Sequence, residues 1–240
     1  MVNFKEFTLK DYIDLLKEGS HFTLGKFGDG ELFCLFKALG WMNPKLHGES
    51  NADKHLYYKD MGLAIHDTFI NEKGYFKLCH SDWFTGKGNG RATSQLFNRY
   101  IKEFNVEPPE LHDATKSFYV DAEAGTLGPL KEQLEKMNFV MVSEPRKRAL
   151  SIKYVDFIEV PQINAWLEKD RIKKEMIEMT EKYDNVVFGL SIGMGALPIQ
   201  DELFPIIGDK CWMISFGSIF DPFINVNTRG YHSRYKNRSI

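Results

Sequence analysis

Short apolar runs alternate with helical patterns along this chain, and the alternation limits the folds open to it. NVVFGLS at 185–191 and CWMISF at 211–216 are almost wholly apolar, as strands buried on both faces of a sheet must be. Including these two, the predicted strands are Phe22–Phe27, Tyr75–His80, Ser117–Asp121, Phe139–Ser143, Tyr154–Val160, Val186–Ser191 and Trp212–Phe216. The sequence therefore predicts an α/β fold with a mostly parallel sheet and helices on both faces.

Predicted helices separate most of these strands. The first has Thr8 as its N-cap, with Asp11 three residues later, and ends near Gly19. The others are predicted at Glu31–Leu39, Ala52–Ile70, Ala92–Phe104, Leu127–Met137, Ala165–Tyr183 and Ala196–Ile207. The glycine-rich loop Ser81–Arg91 follows a predicted strand, and a mobile lid and a surface excursion are equally open for it.

Size and charge narrow the class of protein. The chain has 240 residues, of which 43% are hydrophobic, enough for one large core. Pro108-Pro109 could mark a boundary, but each half would be small, so a single domain over 1–240 is expected. The formal net charge of −2 argues against a protein that depends mainly on non-specific affinity for nucleic acid.

Cysteine usage and the N-terminal residues indicate a reducing compartment. Cys34, Cys79 and Cys211 are far apart, which disfavours a disulfide framework or a structural zinc site. The chain starts with MVNFKEF and has no run of about 18 apolar residues. We expect a protein without a membrane span in the cytoplasm, or in the host cytoplasm if the chain is viral.

The segment KFGDGE, Lys26–Glu31, stands where a predicted strand ends and a helix begins. Asp29 and Glu31 flank Gly30, and two carboxylates in such a turn can bind a divalent cation that in turn binds a diphosphate. The glycines let the backbone approach a ligand closely. The alternative is a plain turn in which Asp29 caps the helix and Glu31 stabilises its first turn.

Two further segments could bind phosphate. In GLSIGMGALPIQDEL, Gly189–Leu203, a buried strand enters a turn with Gly193 and Gly195, and free N–H groups at the following helix start suit phosphate. In the C-terminal segment, Arg229 could offset the charge of a departing diphosphate and Tyr231 could stack on a base or sugar. A turn without a ligand and a solvated terminus are the respective alternatives.

A second carboxylate pair and a basic loop complete the candidates. Asp121 and Glu123 stand at the end of a predicted strand, and either could act as a general base on an acceptor hydroxyl; a helix-capping role is the alternative. The basic loop EPRKR, Glu144–Arg148, could contact phosphates of a donor or of a polyanionic acceptor. Its default interpretation is a solvated loop.

Taken together, these segments resemble the GT-D type of glycosyltransferase, a family first recognised in bacterial enzymes that extend glycans on serine-rich adhesins. KFGDGE is similar to the family's RFGDGE, with lysine in place of arginine. PQINAW (161–166), GLSIGMGA (189–196), ISFGSIFDPF (214–223) and TRGYH (228–232) follow in the expected order. The resemblance covers nearly the whole chain, and only KFGDGE is specific by itself.

The resemblance implies a Rossmann-like fold, a nucleotide-sugar donor and a divalent metal, Mn²⁺ or Mg²⁺. It implies that Asp29 and Glu31 engage the metal and take part in catalysis, for which Asp121 and Glu123 are the further candidates. The predicted donor-binding residues are Lys26, Phe27, Gly28, Gly30, Ser191, Gly193, Gly195, Asp221, Arg229 and Tyr231. Lysine at position 26 cannot reproduce a bidentate contact that an arginine would make.

The expected function is transfer of a sugar from a nucleotide-sugar donor, with UDP the expected nucleotide, to a hydroxyl acceptor. The acceptor is either a glycan or glycoprotein, which the negative net charge favours slightly, or a hydroxylated base in viral DNA. Two other classes stay open. They are a metal-dependent phosphohydrolase or nuclease that uses the same carboxylates to activate water, and a non-catalytic nucleotide- or DNA-binding module.

Overall fold

The computed structural model describes residues 4–42, 56–70, 76–79, 91–105, 111–113, 118–227 and 229–236. Residues 81–90 of the predicted glycine-rich loop and 52–55 of the predicted third helix lie outside this part of the chain. Within it, no helix combines the length and the apolar character needed to cross a membrane.

The described strands form one sheet, and every pairing in it is parallel. The strands are β1 (Phe4–Lys5), β2 (Thr23–Phe27), β3 (Phe76–Cys79), β4 (Leu111–Asp113), β5 (Asn138–Ser143), β6 (Asp156–Glu159), β7 (Val186–Ser191) and β8 (Cys211–Ser215). Their order across the sheet is β1-β4-β3-β2-β8-β7-β5-β6. The predicted α/β class is thereby confirmed, and the architecture is consistent with a Rossmann-like fold.

Helices cover both faces of the sheet, as predicted. They are α1 (Leu9–Glu18), α2 (Asp29–Ala38), α3 (Lys59–Ile70), α4 (Arg91–Phe104), α5 (Phe118–Ala124), α6 (Gly128–Leu134), α7 (Lys169–Lys182) and α8 (Ala196–Ile207). Strand side chains alternate between two cores. Val186 and Phe188 pack into the core shared with α2, α3, α7 and α8, whereas Val187 packs into the core shared with α1, α5 and α6. This two-sided burial explains why the strands are continuously apolar.

The start of α1 follows the predicted capping pattern. The Thr8 side chain accepts from the Asp11 backbone N–H, and the Asp11 carboxylate accepts from the backbone N–H of Thr8 at 2.7 Å. The helix ends at Gly19, whose φ of 75° lies in the left-handed region, where glycine is unstrained.

The strand predicted at Ser117–Asp121 is wrong. Residues Phe118–Ala124 form α5, so Asp121 and Glu123 stand on a helix rather than at a strand end. Phe118, Tyr119 and Ala122 are its buried residues, and this spacing is that of one helical face. The sequence reading also missed β1 and β4, which have only two and three residues and lie toward one edge of the sheet.

The connections diverge between the neighbouring strands β7 and β5, toward the β6 side of the sheet. The chain leaves β5 towards β6 on one side, and it leaves β7 towards β8 on the other side. In open α/β sheets, ligands bind at the carboxyl ends of strands where neighbouring connections diverge in this way. A functional site is therefore expected at the carboxyl edge of the sheet.

Candidate functional site

A cavity of about 430 Å³ lies at this edge. Residues at or just beyond the ends of β2, β8, β7 and β5 form most of its wall, with Gln162 and Ile163 added from beyond β6. The lining residues are Lys26, Gly28, Asp29, Gly30, Glu31, Glu144, Arg146, Lys147, Gln162, Ile163, Ser191, Ile192, Gly193, Met194, Ser215, Gly217, Ser218, Asp221 and Arg229. Nine of the residues chosen from the sequence are among them.

Asp29 and Glu31 form a carboxylate corner at the start of α2. Glu31 Oε2 accepts a hydrogen bond from the Gly28 backbone N–H at 2.7 Å, and Asp29 Oδ1 accepts one from the Gly30 N–H at 3.0 Å. Gly28, not Asp29, is the N-cap of α2, so the plain-turn alternative is wrong for Asp29 and right for Glu31, which stabilises the first turn. Both carboxylates also line the cavity, so capping and ligand binding are compatible at this corner.

Gly28 makes this corner possible. A Cβ at position 28 would lie 2.6 Å from Glu31 Oε2, closer than real contacts allow. Burial raises the pKa of the Glu31 carboxyl above its ordinary value, the nearby Lys26 charge opposes this rise, and Asp29 adds to it. A positive charge brought to the corner would favour the ionised form of Glu31.

The carboxylate corner offers two ligands for a divalent cation, fewer than a metal held by protein side chains alone would need. Within the described residues, no three or more His, Cys, Asp or Glu side chains cluster as a metal would require. Mg²⁺ at phosphate-transferring sites is commonly held by one or two carboxylates together with substrate phosphates and water. Asp29 and Glu31 offer the hard oxygen ligands of that arrangement, and they fit a metal that arrives with a phosphorylated ligand.

Lys26 lies beside the corner, at the end of β2. Its ammonium group is 4.7 Å from the centroid of the Tyr119 ring on α5. Gly217, just beyond β8, leaves room for it, because a Cβ there would lie 3.2 Å from Lys26 Nζ. Gly217 also has a φ of 56°, a conformation that favours glycine.

The last residue of β7, Ser191, and Gly193 in the turn that follows both line the cavity. Gly193 has a φ of 70° and opens a short 3₁₀ helix, Gly193–Gly195, that leads into α8. Gly195 is placed differently, since it packs against Trp166 and does not line the cavity. Among the described residues, the Ser191 hydroxyl oxygen is buried without a hydrogen-bond partner.

The basic loop after β5 is only partly solvated. Arg148 is solvated, as the default interpretation of this loop predicts, and it pairs with Glu159 at an exposed position. Arg146 and Lys147 line the cavity, and only 3% of the Lys147 side chain is accessible. Arg146 Nε is 2.9 Å from a Glu144 oxygen, and the Lys147 ammonium is ion-paired with Asp221.

The C-terminal segment reaches the cavity through Asp221 and Arg229. Asp221 begins a 3₁₀ helix, Asp221–Ile224, and is buried. Arg229 is half-buried and precedes a second 3₁₀ helix, Gly230–Arg234. Tyr231 lies in that helix, but its side chain is outside the described part of the structure.

Besides Gly195, three predicted residues stand away from the cavity. The Asp121 carboxylate accepts a hydrogen bond from the Thr126 hydroxyl at 2.7 Å, and Glu123 pairs with Arg234 at 2.6 Å. Neither lines the cavity, so their placement gives no support to a role as general base. Phe27 is fully buried against Phe69, with ring centroids 4.2 Å apart, because its position in β2 directs it into the core.

Sequence reasoning missed several lining residues. Ser215 is the last residue of β8, Gly217 and Ser218 follow it, and Gln162 and Ile163 follow β6. The signal that could have found them is position, because each stands at or just beyond the carboxyl end of a parallel strand. Small and apolar side chains there carry no chemical signature of their own.

The formal charges of the described lining cancel. Four cations (Lys26, Arg146, Lys147 and Arg229) stand against four carboxylates (Asp29, Glu31, Glu144 and Asp221). Two of the cations are held in ion pairs with Glu144 and Asp221. An anionic ligand would therefore gain little from the net charge unless a cation entered with it.

Comparison with known proteins gives no relative for this chain: no family model, no curated protein and no solved structure matches it significantly.

Proposed function

We propose that this protein is a metal-dependent glycosyltransferase that moves a sugar from a nucleotide-sugar donor, with UDP as the nucleotide, to a hydroxyl acceptor. The observation that carries the proposal is the joint placement of Asp29, Glu31 and Arg229 in one cavity. These residues belong to segments that are far apart in the chain. The resemblance to GT-D glycosyltransferases supplies the reaction class, and the cavity supplies a place for it.

The charges of the cavity support a metal requirement. A nucleotide-sugar diphosphate carries two negative charges, whereas the lining of the described cavity has no formal net charge. A divalent ion, Mn²⁺ or Mg²⁺, held by Asp29 and Glu31 would supply the missing positive charge and stabilise the departing diphosphate. Such an ion would also oppose the rise in the Glu31 pKa that burial causes.

The chain's own side chains have separate tasks in this proposal. Lys26 and Arg229 offset the negative charge that develops on the leaving diphosphate. The turn at Ser191 and Gly193 brings the backbone close to the donor at the diverging connections of the sheet. Holding donor and acceptor in line lowers the entropic part of the barrier.

The acceptor is proposed at the level of a hydroxyl group. A glycan or glycoprotein and a hydroxylated base in viral DNA are both compatible with the cavity. A base acceptor would have to leave the stack or be approached through the major groove. Mass spectrometry of a glycopeptide and of hydroxymethylated DNA, each incubated with the protein and a UDP-sugar, would identify the class.

Thermal denaturation with UDP and Mn²⁺ tests the proposal. We expect the two together to raise the melting temperature of the wild-type protein, and Asp29→Ala to abolish that rise. Asp170→Ala is the matched control, because Asp170 is an exposed carboxylate on α7 whose partner is Lys173. A wild-type protein that shows no shift with any nucleoside diphosphate and Mn²⁺ would contradict the proposal.

Product analysis separates the proposal from the two other classes. A glycosyltransferase releases UDP from UDP-sugar and attaches the sugar to the acceptor. Inorganic phosphate or cleaved DNA without sugar transfer would indicate the phosphohydrolase or nuclease. Binding of nucleotide or DNA without any turnover, unchanged by Asp29→Ala and Glu31→Gln, would indicate the binding module.

A further inference from the structure

Two charged side chains in the cavity wall are buried together. Lys147 and Asp221 are 3% and 6% exposed as residues, and the Lys147 ammonium is in direct contact with Asp221 Oδ1. They come from different elements, the 3₁₀ helix Pro145–Ala149 after β5 and the 3₁₀ helix Asp221–Ile224 after β8. Both line the cavity, so the pair joins two strand ends on either side of β7.

A buried ion pair is a costly way to hold two loops together. Desolvation of both charges commonly cancels their attraction, and apolar side chains of similar volume are often as stabilising. The position of this pair in the wall of a cavity suggests a use for the charge itself. A lysine ammonium has three N–H donors, so Lys147 can donate to Asp221 and to a ligand at the same time.

We propose that Lys147 binds the diphosphate of the donor, and that Asp221 is the counter-charge that keeps the Lys147 ammonium at the wall before the donor arrives. This assignment rests on the proposed function and deepens it. It places a phosphate contact at the β5 end of the cavity, opposite the carboxylate corner at β2. Asp221 thereby becomes a partner of Lys147 rather than a direct ligand of the donor.

The order of the strands sets the distance between the ends of β2 and β5. Strands β2 and β5 are separated by β8 and β7, and a spacing of about 4.8 Å between neighbours puts their ends roughly 14 Å apart. The ammonium of Lys147 contacts Asp221, which follows β8, so a metal at Asp29 and Glu31 and this ammonium would reach the donor from different strand ends. Contacts from two strand ends fix the orientation of a diphosphate better than contacts from one.

Titration calorimetry of UDP with Mn²⁺ tests the assignment in three variants. Lys147→Met combined with Asp221→Asn removes both charges and leaves no buried charge unpaired, so this double variant should fold. We expect its UDP affinity to fall by about tenfold or more, as for loss of a charge-assisted hydrogen bond. Asp221→Asn alone keeps the Lys147 ammonium but loses the counter-charge that positions it, so its affinity should fall by clearly less than that of the double variant.

Lys173→Met is the matched control. Lys173 is also a partly buried, ion-paired lysine, with Asp170 and Glu202 as partners, but it lies on α7 away from the cavity. Its substitution should leave UDP affinity unchanged. An unchanged affinity in the double variant would overturn the assignment, and so would an equal loss in Asp221→Asn alone, which would trace the effect to the broken pair.

Inorganic pyrophosphate separates this inference from the proposed function. If the wild-type protein binds no UDP, the proposed function fails, and the pyrophosphate titration decides about Lys147. Pyrophosphate binding that the double variant loses would preserve Lys147 as an anion ligand. A wild-type protein that binds neither UDP nor pyrophosphate would overturn the assignment together with the proposed function.

Discussion

The ammonium group of Lys26 lies 4.7 Å from the centroid of the Tyr119 ring, and this contact joins the end of β2 to α5. Lys26 directly precedes the turn that carries Asp29 and Glu31. Within the described part of the chain its charge is near Glu31, but the two form no ion pair. The Tyr119 ring therefore holds the Lys26 ammonium at the edge of the carboxylate corner, and Glu31 does not neutralise its charge.

Replacing Lys26 should weaken donor binding. We expect Lys26→Met to lower the affinity for UDP with Mn²⁺ by about tenfold, and Lys26→Arg to retain most of it, since arginine also binds phosphate and stacks on aromatic rings. Tyr119→Leu should lose a smaller amount, because a cation–π contact at such a site contributes about 0.5–1 kcal/mol. Titration calorimetry measures all three, and equal affinity of Lys26→Met and wild type would contradict a role for this charge.

Gly28→Ala should damage the carboxylate corner while leaving the rest of the fold in place. The new Cβ would displace Glu31 Oε2 and remove the hydrogen bond from the Gly28 N–H. We expect a loss of about 1 kcal/mol of stability, as for a helix cap, together with weaker Mn²⁺-dependent binding of UDP.

The control for Gly28→Ala is Gly128→Ala. Gly128 stands at the start of α6, where an added Cβ meets nothing within 4 Å. That variant should match the wild type in chemical denaturation and in UDP binding. Normal Mn²⁺-dependent binding by Gly28→Ala would mean that the position of Glu31 is unimportant for the metal.

The sequence predicted the strands around the cavity well because burial on both faces leaves a continuous apolar run. β5, β7 and β8 begin and end within a residue or two of their predicted bounds. The segment at Ser117–Asp121 misled because Phe118, Tyr119 and Val120 are residue types that are enriched in strands. Its helical state depends on Phe118, Tyr119 and Ala122 packing on one face, which the run of letters alone does not show.

The candidate site was predictable where glycine or charge marks a strand end. KFGDGE and the Gly193 turn are such marks, and both line the cavity. The burial of Lys147 was not predictable, because a basic run is usually solvated and its partner Asp221 is 74 residues away. Sequence also could not tell which carboxylates face the cavity, since Asp121 and Glu123 differ from Asp29 and Glu31 only in their tertiary surroundings.

Acid should destabilise the protein partly through His66. This side chain on α3 shares a hydrogen bond of 2.6 Å with the Tyr100 hydroxyl, and burial lowers the pKa of His66 below its ordinary value while Asp67 opposes the shift. The unfolded chain therefore takes up the proton first, and stability is lost as pH falls from about 6.5 towards the lower folded-state pKa.

Urea denaturation at a series of pH values checks this effect. His66→Leu should show a shallower loss of stability below about pH 6.5 than the wild type. Tyr100→Phe removes the hydrogen bond but leaves the histidine buried, so it should keep the wild-type pH dependence with a lower overall stability. Identical pH profiles for His66→Leu and wild type would exclude His66 as a source of acid sensitivity.

Gly62→Ala should push α2 away from α3 and thereby displace the carboxylate corner, which lies at the start of α2. A Cβ at position 62 would lie 2.5 Å from the Cys34 backbone oxygen and 2.6 Å from Ala38 Cβ. Since a backbone atom cannot move aside as a flexible side chain can, we expect destabilisation of about 1–3 kcal/mol, typical of overpacking. UDP with Mn²⁺ should bind more weakly even where the variant is folded, because α2 begins at Asp29. A variant with wild-type stability in urea would show that the two helices can separate at little cost.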